Sequence, residues 1–240
     1  MAQSVSEGTD FFGYPVQTPG NVVYIELDTP ITLVKPRWRK QAVPRPTSVH
    51  LAGFHHLDTL NLDTLARQAL EGLQARLRPR LVVVNTLRKA HHADANQSEV
   101  ASKIYGIWRH LFPSSAIVFV HHDKKSQIVD GVELAGGDEA FSGTLAWLND
   151  AQIGLHLSSD GHKHKRRVKL EITGSQVGPM TEVLHLQLNA DGTNFSNVGP
   201  EAIRQVFTQL DPTSPKMARY AQVATTLDVS ETTVRRALDP

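Results

Sequence analysis

The chain has 240 residues, of which 40% are hydrophobic and 20% charged, with a formal net charge of +1 and no cysteine. This composition is typical of a globular protein with one α/β domain and a small appendage, and it excludes disulfides, thiolate metal sites and cysteine nucleophiles. No apolar run approaches the roughly 18 residues that a membrane-spanning helix needs. The N-terminus lacks the basic and apolar regions of a secretory signal, so we expect a cytoplasmic protein without a membrane segment.

Short β-branched runs alternate with amphipathic stretches in the first half of the chain. Nearly continuous apolar strands separated by helices are typical of a parallel sheet that helices cover on both faces. The strands are predicted at 21–27, 48–53, 80–86 and 115–122, and the helices at 62–77 and 98–112.

The pattern changes after residue 130. A predicted helix at 138–150 precedes three strand candidates, 151–159, 166–175 and 182–192, which we interpret as antiparallel edge strands. A stretch rich in Asn, Gly and Pro follows. We therefore predict a core of residues 1–194 and a small helical tail of residues 195–240.

Polar residues follow three of the predicted strands in the segments "VVYIELDTP" (22–30), "LVVVNTLRKAHHADAN" (81–96) and "IVFVHHDKK" (117–125). In this order and spacing they resemble the RecA-like ATPase core of the RepA/DnaB type. That group comprises hexameric replicative helicases and related plasmid and phage AAA-family ATPases. The resemblance covers about residues 11–180 and implies an α/β fold, ATP and Mg²⁺ as cofactors, DNA as a partner and a hexameric homo-oligomer.

The resemblance also assigns roles to individual residues. Asp28 or Glu26 lies near the family's water-activating glutamate, where a carboxylate can polarise water for attack on a γ-phosphate. Alternatively, Asp28 caps the turn that follows its strand. The Walker B position, a loop acid with the asparagine after it, and a strand-end histidine fall on Asn85, Asp94, Asn96 and His121.

Four parts of the family's catalytic machinery are missing or neutralised in these 240 residues. No G-x-x-x-x-G-K-[ST] loop occurs, and the resemblance begins with a segment that follows that loop in relatives. Asn85 stands where an aspartate holds Mg²⁺, and a neutral amide is a poor partner for that ion. Gly174 and Gln176 replace a lysine and an arginine finger, and Ser142 replaces another arginine.

We therefore predict a degenerate ATPase scaffold, truncated at its N-terminus, whose affinity for Mg²⁺ is sharply reduced. Whether this chain retains any cofactor stays open. One alternative is an active ATP-dependent helicase whose phosphate-binding loop is missing from this chain. Whether the chain is an enzyme stays open at this point.

The tail at 216–238 has the spacing of a helix-turn-helix. Ser230 is placed to cap the second helix, whose N-terminal residues would lie near base edges and whose arginines near phosphates. A small helical bundle for protein contact is the alternative, and a transcription regulator that recognises an operator would also use such a tail. The predicted DNA-contacting residues are Thr232, Thr233, Arg235 and Arg236.

A basic strip at 161–169 includes Lys165, Arg166 and Arg167. These residues either face DNA or belong to a solvated hairpin whose charges discourage edge pairing. The histidine pairs at 55–56, 91–92 and 121–122 lack the i, i+4 helical spacing with a supporting carboxylate that a zinc site needs, so we predict no metal site from them.

Overall fold

The chain forms two compact units, residues 1–151 and 152–240. The computed structural model describes residues 1–41, 48–54, 65–91, 98–122, 127–129, 132–134, 146–159, 167–174, 181–189, 194–227 and 229–239.

A four-stranded parallel sheet organises the first unit. Its strands are β1 (Val22–Glu26), β2 (Val49–Gly53), β3 (Leu81–Asn85) and β4 (Ala116–Val120). They lie in the order β2-β1-β3-β4, so β1 and β3 occupy the centre. The apolar side chains of these two strands are nearly all buried, which confirms the continuous apolar runs as two-faced core strands.

Helices lie on both faces of this sheet. They are α1 (Ala2–Glu7), α2 (Ile31–Gln41), α3 (Leu65–Leu77), α4 (Ser98–Leu111) and α5 (Ala146–Asn149), with a 3₁₀ turn at Leu87–Lys89. Helix α4 buries Ala101, Ile104 and Trp108, spaced three and four apart, in the same core as strand residues such as Ile25. Val5 of α1 packs in a separate cluster against other residues of β1 and β3. The first unit also contains a short hairpin of β5 (Gln127–Val129) and β6 (Val132–Leu134).

The second unit begins with an antiparallel sheet. Its strands are β7 (Ile153–Ser159), β8 (Arg167–Gly174), β9 (Thr181–Leu188) and β10 (Phe195–Asn197), in the order β10-β9-β8-β7. The three predicted strands are therefore confirmed, although in the described part of the chain they pair with one another and not with the parallel sheet. Because β10 pairs with β9, the boundary predicted near residue 195 falls inside this sheet. The division into 1–194 and 195–240 stays a prediction.

Three helices complete the second unit, α6 (Pro200–Gln209), α7 (Lys216–Leu227) and α8 (Glu231–Leu238). Their shared core contains Ile203, Tyr220, Val223 and Val234, each no more than 1% exposed. Within the described ranges, no helix is long and apolar enough to cross a membrane.

Candidate functional site

The carboxyl ends of β1 and β3 lie side by side where the strand order reverses. From β1 the chain moves to β2 on one side, then crosses to β3 on the other. Ligand sites of open α/β sheets lie in the crevice outside such a reversal. Glu26 ends β1 and is the register partner of Asn85, which ends β3. Two predicted site residues therefore meet where the fold favours a ligand site.

The Glu26 carboxylate accepts hydrogen bonds from three nitrogen atoms, although the residue is only 2% exposed. The backbone N–H groups of Asp28 and Thr29 each donate to Oε1 at 2.9 Å. Asn85 Nδ2 lies 3.1 Å from Oε1 and 2.9 Å from Oε2. Hydrogen bonds to an ionised acceptor are stronger than neutral ones. The carboxylate thus ties the end of β3 to the turn that follows β1.

Asp28 lies in that turn and forms an ion pair with Lys89 of the 3₁₀ turn. Asp28 Oδ1 and Lys89 Nζ are 3.2 Å apart, and the two side chains are 46% and 34% exposed. An ion pair this exposed contributes about 0–1 kcal/mol. The Glu26 carboxylate accepts the N–H groups of Asp28 and Thr29 in this turn. The capping role considered for Asp28 stays a prediction.

His121 lies directly after β4, whose last residue, Val120, pairs with Asn85. This half-buried histidine therefore lies at the end of β4, the strand that neighbours β3 on the side opposite β1. The other positions that the sequence marked in this region, Asp94 and Asn96, lie outside the described residues, as do Ser142 and Gln176. Gly174 is the last residue of β8.

His91, which the sequence pattern marked only as half of a histidine pair, is buried after the 3₁₀ turn. Its ring stacks on Trp147 of α5, with centroids 5.3 Å apart and an interplanar angle of 18°. The Trp147 carbonyl accepts a hydrogen bond from the Tyr105 hydroxyl at 2.7 Å. Burial, reinforced by the Asp150 carboxylate, raises the pKa of Tyr105 to about 12, so this hydroxyl remains a donor at neutral pH. The contacts among His91, Trp147 and Tyr105 link the segment after β3 to α5 and α4. No sequence signal indicated these contacts.

A family model described as an AAA domain matches the chain over residues 1–127, which is more than half of its length. The chain belongs to the AAA domain family. The parallel sheet of the first unit fits the RecA-like fold of this ATPase superfamily, so the protein is AAA-type and ATPase-like. A search of curated proteins finds no match.

The AAA domain implies a nucleotide with Mg²⁺. The described residues at the carboxyl ends of β1 and β3, which we call the sheet edge, do not fit that ion. Mg²⁺ in phosphate sites is held by one or two carboxylates together with water and phosphate oxygens. The Glu26 carboxylate is buried and bonded to N–H groups, while the Asp28 carboxylate is paired with Lys89. Within the described residues, no group of three His, Asp or Glu side chains could hold a metal ion.

The AAA protein has a second group of predicted site residues on α8. Val234 and Ala237 are buried on the inner face of this helix. Ser230 caps it as predicted, because its Oγ accepts a hydrogen bond from the backbone N–H of Thr233 at 3.1 Å. The Thr233 hydroxyl lies 2.9 Å from the same Oγ, so this side chain also belongs to the cap. The exposed residues of its outer face are Glu231, Thr232, Arg235 and Arg236. Arg235 Nη2 lies 3.8 Å from Met217 Sδ.

The end of α8 is held to the start of α7 by Asp239. Its carboxylate accepts a hydrogen bond from Lys216 Nζ at 2.8 Å and one from the Tyr220 hydroxyl at 2.7 Å. Hydrogen bonds from Lys216 and then from Tyr220 hold the pKa of Asp239 below its usual range. The outer face of α8 is therefore presented by a helix that is fixed at both ends.

Of the basic strip, only Arg167 and Lys169 lie in the described residues, because Lys165 and Arg166 fall outside them. Arg167 Nε donates to Gln187 Oε1 at 2.9 Å, and Lys169 Nζ lies 2.6 Å from Glu171 Oε1. Both cations lie on one face of the antiparallel sheet, two residues apart on β8. Each is engaged with a neighbour on that face.

Proposed function

We propose that this AAA-type protein works with DNA through the helices at its C-terminal end and is degenerate in ATP hydrolysis. It acts as a DNA-binding or subunit-assembly component of the RepA/DnaB type in plasmid or phage replication. The observation that carries the proposal is the outer face of α8, where Thr232, Arg235 and Arg236 are exposed on a capped helix.

The geometry of α7 and α8 supports DNA as the partner. A helix-turn-helix presents the N-terminal residues of its second helix to base edges in the major groove, while cations contact phosphates. Thr232 lies in the first turn of α8, and Arg235 and Arg236 follow three and four residues later, on the same outer face. Arg235 and Arg236 give this face two cations that can contact a phosphate backbone, although the exposed Glu231 lies one turn before Arg235.

The sheet edge supports the loss of hydrolysis. A general base needs a carboxylate that is free to accept a proton from water. The Glu26 carboxylate is buried under three N–H donors, and the exposed Asp28 carboxylate is paired with Lys89. A homo-oligomer, hexameric in the RepA/DnaB group, is part of the same proposal.

DNA binding is tested with the full chain and fluorescent duplex and single-stranded DNA. We expect duplex binding that weakens with salt, and at least a tenfold loss of affinity in the double variant Arg235→Ala, Arg236→Ala. Arg204→Ala is the matched control, because Arg204 is an exposed arginine of the same helical cluster and pairs with Glu201 at 3.0 Å. Unchanged affinity of the double variant, or no DNA binding by the native chain, would refute the role of α8.

The same titration separates replication from gene regulation. A strong preference for one palindromic duplex would favour an operator-binding regulator, because half-site spacing mirrors a two-fold dimer. Loss of hydrolysis is tested separately with a fluorescent ATP analogue in the presence and absence of Mg²⁺. We expect no binding tighter than millimolar, and Mg²⁺-dependent binding at micromolar concentration would overturn this part of the proposal.

A further inference from the structure

The paired ends of β1 and β3 hold one buried negative charge and one neutral amide. Glu26 and Asn85 are register partners in adjacent parallel strands, and Asn85 Nδ2 lies within 3.1 Å of both Glu26 carboxylate oxygens. Two carboxylates at such a distance either share a proton, so that only one is ionised, or need a cation between them to stay ionised together. The amide removes this conflict because it presents N–H donors where a second carboxylate would present oxygens.

The bonds at Glu26 are divided unequally between its two oxygens. Oε1 accepts from Asp28 N, Thr29 N and Asn85 Nδ2, whereas Asn85 Nδ2 is the donor to Oε2 at 2.9 Å. The turn after β1 therefore fixes one oxygen whatever residue occupies position 85. The other oxygen faces β3 and depends on Asn85.

We infer that the Asn85 amide takes the place of a divalent cation as the partner of the buried Glu26 carboxylate. The edge of the sheet is consequently held in one arrangement without metal, and Asn85→Asp alone would turn the pair into a divalent-cation site. Its ligands would be carboxylate oxygens of two adjacent strands, which are the hard donors that Mg²⁺ and Mn²⁺ prefer. This inference does not depend on DNA binding.

Thermal unfolding of the full chain tests the inference, with and without millimolar Mg²⁺ or Mn²⁺ and with a chelator as the reference. Tryptophan fluorescence reports on the first unit alone, because the three tryptophans are Trp38, Trp108 and Trp147. We expect the native chain to unfold at the same temperature in both conditions. The Asn85→Asp variant should unfold several degrees lower in chelator and recover most of that loss with either ion.

Two further variants make the result specific. Glu26→Gln with Asn85→Asp reverses the pair, so it should unfold close to the native temperature in chelator and show no response to Mg²⁺. Asn21→Asp is the matched control at the opposite edge of the sheet, where Asn21 Nδ2 donates to the Leu77 carbonyl at 2.7 Å. This control also exchanges a bonded amide for a carboxylate, yet it should lose stability with no recovery in Mg²⁺.

The inference is overturned if Mg²⁺ and Mn²⁺ stabilise Asn85→Asp no more than they stabilise Asn21→Asp. It is also overturned if the native chain gains as much from either ion as Asn85→Asp does. If Asn85→Asp does not fold in chelator, the reversed pair provides the test. Failure of the reversed pair to fold without metal would contradict the inference. Titration of Asn85→Asp with Mn²⁺ should additionally detect one bound ion per chain, and the reversed pair should bind none.

Discussion

The sheet edge at β1 and β3 and the outer face of α8 use polar residues in opposite ways. At the sheet edge, Glu26 is 2% exposed and its carboxylate is bonded to groups of the protein. On α8, Ser230 and Asp239 form bonds at the two ends of the helix. Arg235 Nη2 also lies 3.8 Å from Met217 Sδ, yet Arg235 and Arg236 both remain exposed. The polar groups of the first region bond to neighbouring strands and turns, whereas the arginines of the second region face solvent.

This contrast separates polar groups that stabilise the fold from polar groups that face solvent. A polar group contributes to stability when its hydrogen bonds are satisfied internally, and it contributes to recognition when it remains open to a ligand. The sheet edge meets the first condition and the face of α8 meets the second. The two regions are therefore expected to respond differently to substitution.

The largest effect is expected at the sheet edge. Glu26→Ala leaves two backbone N–H groups and the Asn85 amide without their acceptor in a buried place, so the first unit should lose about 2–3 kcal/mol of stability. Urea unfolding followed by tryptophan fluorescence measures this loss. Glu71→Ala is the control, because the Glu71 side chain is 52% exposed in its ion pair with Arg67. Equal stabilities of the two variants would mean that the Glu26 bonds do not hold the edge.

A smaller effect is expected at the cap of α8. Ser230→Ala removes the acceptor of the Thr233 N–H and should cost the helix about 1 kcal/mol. Faster hydrogen exchange of the amides in α8 would report this loss directly. Thr232→Ala changes an exposed residue of the same turn and should leave the exchange of α8 nearly unchanged. If both variants exchange alike, Ser230 does not anchor the helix.

The smallest effect is expected from pH at the end of α8. The lowered pKa of Asp239 means that its contribution to stability is present above the usual aspartate value of 3.8 and is lost as the pH falls through the lower folded value. An NMR titration of the Asp239 carboxyl should give a midpoint below 3.8. Lys216→Met removes the main cause of the lowered pKa and should move the midpoint upward. An unchanged midpoint would contradict the bond from Lys216.

The central strands could be predicted from the sequence, whereas helix α2 could not. The runs at β1 and β3 are apolar at nearly every position because helices cover both faces of the sheet. Helix α2 contains Pro36, which is normally unfavourable inside a helix. Tertiary contacts outweigh this cost: Val34 is 7% exposed, and Trp38 packs edge-on against Tyr24 at 5.2 Å.

The sequence predicted the strand-end positions of Glu26 and Asn85 but not the contact between them. The motif order identified Asn85 as a strand-end residue, and the structure agrees. Its bond to Glu26 depends on the register between β1 and β3, which are 59 positions apart at this pair and are matched only by the fold. The stack of His91 on Trp147 likewise joins residues that no sequence spacing connects.

The measurement that tests the contrast most directly is equilibrium binding of the full chain to duplex DNA, with and without ATP and Mg²⁺. The contrast predicts an affinity that falls with salt and is the same under both conditions, because the exposed face of α8 acts without the sheet edge. DNA affinity that changes tenfold or more on addition of ATP and Mg²⁺ would contradict it, since the edge would then have to bind nucleotide and control the helices.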